Sequence, residues 1–288
     1  MKYSIIIWII CFSAINLTGQ QEIILTKYSF NELFFNPAFA GSTGENQGSI
    51  TLQYRNQWFG VEGAPKTVLA AGEYSFFNNK LGLGLTIGQE SIGINSNTEA
   101  SLNTAYRIEV GEGFLSGGIR TGFSYINSDF TKLNIKDQGD VFNSDFEKLS
   151  MFSVGAGLFY HQDEMQIGFS LPNIVSISNG TIKKTRHFYG HMELKIGDEY
   201  SSILWQPDLL IKYEKSVPLQ LTLGVQAWLK RRFAPGIHYR VGESVALSFE
   251  VAIDNKFSLT TAYDFTANDL RDYSSGSIEL MLTYKFGK

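Results

Sequence analysis

From about residue 48 the chain repeats one pattern almost to its end, in segments of roughly ten residues where every second position is apolar or aromatic. In the last segment Ile278, Leu280, Leu282, Tyr284 and Phe286 share one face, while Ser277, Glu279, Thr283 and Lys285 share the other. Successive strand side chains point to opposite sides, so this period builds sheets with one oily and one wet face. Two architectures can use such sheets. A soluble sandwich hides the oily face between two sheets, whereas an outer-membrane barrel turns it to lipid and keeps a polar interior.

Composition favours the barrel. Charged residues make up 18% of the 288, below the usual globular share of about 25%. A mean hydropathy of −0.07 is far too low for a bundle of membrane helices but suits strands that are only half apolar. Outside the N-terminus no run reaches the roughly 18 apolar residues that a spanning helix needs. Strand parity places Arg55, Glu73, Glu99, Arg107, Arg120, Glu193, Lys195, Asp208, Lys212, Glu214, Arg240, Glu250, Asp264 and Glu279 opposite the apolar stripe. A lipid-facing charge at mid-bilayer costs about 2–4 kcal/mol, so this segregation is what a barrel requires. The net charge of −4 gives no reason to expect a nucleic-acid partner.

Three domains are expected: a signal peptide over residues 1–19, an N-terminal segment at the barrel entry over 20–47, and a transmembrane barrel over 48–288. Lys2, the apolar run Ile5 to Phe12 and the small Gly19 supply the three parts of an export signal, and the single cysteine, Cys11, falls within it. The segment that follows carries Tyr28, Phe30, Leu33, Phe34, Phe35 and Phe39. So many aromatics are unfavourable in water, which predicts packing in the lumen or at its periplasmic mouth.

Alternation marks fourteen strands in an up-and-down antiparallel barrel. Trp58 is read into the first strand, and Trp58, Phe76, Phe77, Tyr160, Tyr213, Trp228 and Phe286 into interfacial girdles. Tight periplasmic turns are expected at Asn78-Asn79, Gly111-Glu112-Gly113, Gln162-Asp163, Gly197-Asp198, Lys230-Arg231 and Asp254-Asn255. Long outer loops are expected over residues 127–149, 172–185 and 266–276.

No catalytic constellation stands out, and the chain reads as non-enzymatic, with no cofactor and no metal. His187 and His191 would share an ion on a helix, but four strand steps hold them roughly 13 Å apart. Gly82-Leu83-Gly84 and Gly111-Glu112-Gly113 miss the dinucleotide fingerprint in spacing and open no helix. The basic group Lys183, Lys184 and Arg186 falls in an expected outer loop.

The entry segment carries residues that point further. Tyr28-Ser29-Phe30-Asn31 and Asn36-Pro37-Ala38-Phe39-Ala40-Gly41-Ser42, then Tyr54-Arg55-Asn56-Gln57-Trp58, then Gly63-Ala64-Pro65 with Thr67, continue into Leu81-Gly82-Leu83-Gly84. This series resembles the PorP/SprF family, the membrane proteins of the Bacteroidetes type IX secretion system. The Asn-Pro-Ala triplet alone also occurs in FadL-like transporters; its combination with Tyr-Arg-x-x-Trp and Gly-Ala-Pro-x-Thr carries the resemblance. It implies an outer-membrane protein that supports secretion or surface attachment of cargo, including gliding adhesins in some members, with lipid, secretion machinery and cargo as partners. The competing reading is a FadL-like or porin-like transporter of small or hydrophobic molecules. The motif residues Asn36, Pro37, Ala38, Gly41, Tyr54, Arg55, Trp58, Gly63, Ala64, Pro65 and Thr67 are the candidate contacts. Gly63-Ala64-Pro65 would dock a partner or simply make a rigid turn. Arg55 would pair with an inward glutamate or with the carbonyls of the Asn36 to Gly41 turn.

Overall fold

A computed structural model describes residues 25–26, 31–132, 146–180, 184–197, 201–215 and 217–287. The expected signal peptide with Cys11, the Tyr28 to Phe30 part of the motif, and Lys183 lie outside the described residues. Fourteen antiparallel strands close into one barrel. They are β1 (Gln47–Asn56), β2 (Lys66–Phe76), β3 (Leu81–Ile92), β4 (Asn95–Val110), β5 (Gly113–Asp129), β6 (Phe146–Gln162) and β7 (Met165–Ser178). There follow β8 (His187–Leu194), β9 (Ile203–Glu214), β10 (Gln220–Leu229), β11 (Phe233–Arg240), β12 (Ser244–Ala252), β13 (Phe257–Thr266) and β14 (Ser277–Gly287). Each strand pairs with its sequence neighbours, and β1 pairs with β14 from Gln47↔Gly287 to Asn56↔Ile278, which leaves no strand without two neighbours.

The two faces follow the alternation. Leu52, Val68, Leu85, Phe123, Leu158, Leu247 and Leu282 are exposed on the outside, where lipid would cover them, while Thr51, Ser101, Asn103, Ser153, Thr222 and Thr260 are buried inside. At one end the strands are joined by tight turns. Lys80 N donates to Phe77 O across Asn78 and Asn79, both at positive φ, and Arg232 N donates to Leu229 O across Lys230 and Arg231, likewise positive. Positive φ at both central residues matches the right-handed twist of the flanking strands. Both chain-terminal strand ends lie at this end, which bacterial barrels keep in the periplasm.

Several expected boundaries move. Residues 172–178 are strand, because the ladder between β6 and β7 is interrupted where Gly155 faces Pro172 and resumes at Val154↔Val175. An irregularity of this kind is where a sheet tolerates a residue with no N–H. Likewise β5 and β6 run on to Asp129↔Phe146, well into the expected loop over 127–149. An isolated Ile196↔Trp205 bridge extends the β8–β9 ladder beyond Leu194, and Asp198 of the turn expected there lies outside the described residues. Trp58 lies beyond β1 at φ 48. Trp228 is no lipid-facing girdle residue: it shares the inward parity of buried Gln226 and donates its indole N–H to Gln206 at 2.5 Å. The expected Phe76 and Phe286 stand in a periplasmic aromatic belt with Tyr74, Phe257 and Tyr284, whose ring centroids lie 4.6–6.0 Å from their neighbours.

Candidate functional site

Residues 31–46, with Leu25 and Thr26 before them, form a strap inside the barrel. Its core is one helical turn, α1 (Glu32–Phe35), followed by a 3-10 turn over Pro37–Phe39. Asn36 starts that turn: its Oδ1 accepts from Ala38 N at 3.0 Å, and Pro37 takes a position where no N–H is needed. The Asn36 Nδ2 donates to Leu158 O on β6 at 3.0 Å. The Asn-Pro-Ala triplet is therefore a cap, a start and a contact point.

The strap sits against the barrel wall because glycines leave room for it. A Cβ on Gly82 would lie 1.8 Å from Ala40 O, and one on Gly118 would lie 2.3 Å from Ala38 N. No side chain fits at either position, and Ala38 and Ala40 are fully buried as a result. Gly41 turns the strap at φ 70 and donates to Glu73 at 2.9 Å. Around this contact Leu33, Ala40, Ala71 and Ala105 form an apolar core, Phe39 packs edge-on to Phe159 at 5.1 Å, and Phe35 packs on Tyr189 at 5.0 Å.

Four lumenal arginines hold the strap. Arg107 donates to Gly41 O at 2.8 Å and Ala40 O at 3.2 Å, Arg120 to Phe34 O at 2.5 Å, and Arg240 to Leu25 O at 2.9 Å. Arg55 donates to the Thr26 hydroxyl and pairs with Asp264 at 2.5 Å and Glu279 at 3.0 Å. Thr26 in turn donates through its N–H to Glu279 at 2.9 Å and through its hydroxyl to Asp264 at 2.7 Å. The guanidinium groups bind mostly backbone carbonyls, so much of the strap is gripped as a main chain rather than read as a sequence.

Arg55 thus takes the first of its two expected partners: Glu279 faces it across the β1–β14 seam, and Asp264 adds a second acid. The carbonyls at Ala40 and Gly41 go to Arg107. Thr67, also buried, stands beside Arg55 in the β1–β2 register. Asn36, Pro37, Ala38, Gly41, Arg55 and Thr67 are therefore gathered in the lumen. Gly63, Ala64, Pro65 and Trp58 form a separate group at the outer end. There Gln57 N donates to Pro65 O at 2.9 Å, Gly93 N to Gly63 O at 2.8 Å, Phe59 N to Gly276 O at 2.7 Å and Trp58 N to Ser277 Oγ at 3.1 Å. The loop over 57–65 is clamped to the loops on both sides of it. Tyr54 belongs to neither group and faces outward. Sequence parity places Arg107, Arg120, Arg240, Asp264 and Glu279 in the lumen but does not connect them to the strap.

Two of the histidines stand beside acids. His187 lies 2.9 Å from Glu214, and His191 lies 3.5 Å from Glu32. No group of three potential ligands that could hold a metal occurs among the described residues. Glu32 lies on the strap outside the spanning strands and is fully buried; burial first, and then the charges of Glu193, Glu73 and Asp208, push its carboxyl well above the ordinary range.

The fold is shared with solved outer-membrane barrels. The CymD monoaromatic hydrocarbon channel aligns at 12% identity and a TM-score of 0.55, covering 94% of each chain. Omp33 of Acinetobacter baumannii aligns at 6% identity and 0.51, covering 84% of this chain and 98% of its own. At such identities the likeness shows the architecture alone. No curated protein matches the chain. The family model described as type IX secretion system membrane protein PorP/SprF matches residues 17–284, a span that includes the strap, its glycine seat, all four arginines and the clamped outer loop. The chain belongs to the PorP/SprF family and is an outer-membrane barrel component of the type IX secretion system.

Proposed function

We propose that this barrel supports the secretion or surface attachment of type IX cargo, gliding adhesins among them, as a plugged scaffold rather than as a conduit or an enzyme. The observation that carries this reading is the strap. It runs from the Arg55 cluster, near the outer end of β1, to the Asn79 turn at the periplasmic end, and a glycine seat and four arginines hold it there. A transporter needs a continuous path, and a strap bonded along its length opposes one. The outer loop over 57–65 supplies the proposed partner contact: Glu62 and Gly63 are exposed on a backbone clamped from both sides, so a partner would meet a surface already ordered. Export through the segment 1–19 delivers the chain to the outer membrane in this reading.

Deleting the gene is expected to leave cargo unattached or inside the cell, scored by surface labelling, and the purified barrel is expected to show no stepwise conductance in planar bilayers. Stable single-channel steps from the purified barrel, with cargo display intact in the deletion strain, would replace this reading with a transporter. Arg55→Ala is expected to impair display at normal barrel abundance.

A further inference from the structure

The outer rim of the barrel has a step in it. β7 runs on to Ser178, but its ladder with β8 stops at Ser170↔Tyr189, so from Leu171 onward β7 pairs on its β6 side alone. Three features end the β8 ladder there. Pro172 has no N–H to give, the register to β6 jumps opposite Gly155, and the chain returning to β8 turns into the lumen, where Lys184 pairs with Glu99 at 2.5 Å.

Beyond the jump β7 is regular again, and one bond fixes its phase. Asn179 N donates to Ser150 O at 3.2 Å, which makes these two residues a bonded pair. Bonded pairs recur at every second residue of an antiparallel ladder, so Val175 and Ile177 turn their main-chain groups to β6. Ser176 turns its N–H and C=O the other way, toward the side that β8 leaves open. Among the described residues, neither Ser176 nor Ile174 makes a hydrogen bond on that side.

The side chains here are those of an edge with no protection. Val175 and Ile177 point outward and are 51% and 68% exposed, while Ser176 pairs inward with buried Ser153. Continued past Tyr189, the β7–β8 register sets Phe188 level with Leu171, and Phe188 with Tyr213, ring centroids 5.9 Å apart, forms the outer girdle on this side. Ile177 lies roughly 15–20 Å farther along its strand, at about 3.3 Å per residue, and so stands clear of the lipid. Exposed edges are normally blunted by charge or proline, and the run Ile174-Val175-Ser176-Ile177-Ser178 carries neither.

We propose that the outer part of β7 receives an extended segment of a secreted partner as one more strand of the sheet, centred on Ser176. The proposal rests on the secretion reading above, which brings partners to the outer surface, and names how one of them is held. The main-chain groups of Ile174 and Ser176 supply hydrogen bonds, and the Val175 and Ile177 face selects a segment that is apolar at every second position. This edge lies across the barrel from the loop over 57–65, so the two contacts are independent.

The test uses the full-length barrel in detergent and a fluorescent peptide of alternating valine and threonine with lysine at both ends. Its counterpart is N-methylated throughout, which keeps the side chains and removes every main-chain donor. The barrel is expected to bind the first peptide about tenfold or more tightly than the second. Ser176→Pro deletes an edge donor that faces away from β6, so the β6 ladder survives it, and Ile177→Lys sets a charge on the apolar face. Each variant should weaken peptide binding about tenfold or more with heat-modifiable migration unchanged. No binding to the intact barrel, equal binding of the two peptides, or unweakened binding in Ile177→Lys or in folded Ser176→Pro would overturn the proposal. A barrel that is dimeric without peptide and monomeric in Ile177→Lys would overturn it by giving the edge to a second copy of the chain. In cells, Ile177→Lys at normal barrel abundance should lose cargo display. If gene deletion blocks display while Ile177→Lys displays normally, the added-strand proposal fails alone; if deletion has no effect, the secretion reading fails with it.

Discussion

The two sides of this barrel solve different problems. Strands β4 to β7 are tall, at 14–17 residues, and their lumenal face is stripped of side chains where Gly118 and Gly157 meet the strap. Strands β8 to β14 are shorter, at 8–12 residues, and their lumenal face carries Asp208, Gln226, His238, Arg240, Glu250, Asp264 and Glu279. The strap lies where the wall is bare. From the opposite wall the strap is met by side chains, Tyr189 against Phe35, Arg240 at Leu25 and Asp264 at Thr26, with Arg55 of β1 beside them. Steric absence sets where the strap goes, and charge sets whether it stays.

The comparison breaks most sharply at the bare side. Gly118→Leu would place a side chain against the backbone of Pro37 and Ala38, within 2.3–2.5 Å at its first carbon, and that backbone is itself enclosed. Overpacking commonly costs about 1–3 kcal/mol, and more where no neighbour can move. The strap is expected to leave its seat: limited proteolysis should cut within residues 31–46 while the barrel still shows heat-modifiable migration. A protected strap in Gly118→Leu would show that the bare wall is not what positions it.

At the seam where β1 closes on the charged side, the test falls on Arg55. Its removal leaves Asp264 and Glu279 buried around Thr26 without their cation, and breaking a buried pair in this way costs about 3–5 kcal/mol. Arg55→Ala should lower the unfolding free energy of the refolded barrel, read from its denaturant midpoint and slope, by about that amount. Adding Asp264→Asn and Glu279→Gln should restore most of it, since the stranded charges cause the loss. If the triple variant is no better than Arg55→Ala, then lost packing at the seam outweighs the ion pairs.

These two sides also differ in how far the sequence discloses them. Which segments become strands is legible because period-two alternation survives in nearly every one, and the charges at Arg55, Arg107, Arg120 and Arg240 fall inward by parity alone. The strap's own turn is legible in Asn36-Pro37-Ala38, where a cap precedes a proline. Its seat is not, because a strand glycine such as Gly118 reads the same whether it faces solvent, a bulge or another backbone. Nor is the Arg55 partnership with Asp264 and Glu279, which depends on the register of the closing seam between residues more than two hundred positions apart. The extension of β7 through Pro172 is hidden for a related reason, since proline is an end signal unless the neighbouring strand offers an irregularity to absorb it.

The smallest expected effect lies where the two sides meet. Glu32 faces His191 on β8 and feels the charges of Glu193, Glu73 and Asp208 against the single opposing charge of Lys195. Its carboxyl is raised in the folded chain, so the folded state binds the proton more tightly than the unfolded state does. The stability this contributes is fully present below the ordinary carboxyl range and is lost as pH rises through the raised value. Strap protection from protease should therefore be greater at mildly acidic than at alkaline pH. Glu32→Gln keeps the shape and removes the proton equilibrium. It should flatten that profile while shifting overall stability by about 1 kcal/mol or less, because one Glu32 oxygen already has no hydrogen-bond partner within the described structure. A pH profile unchanged by Glu32→Gln would move the sensitivity to the histidines of the charged wall and leave the strap indifferent to the proton.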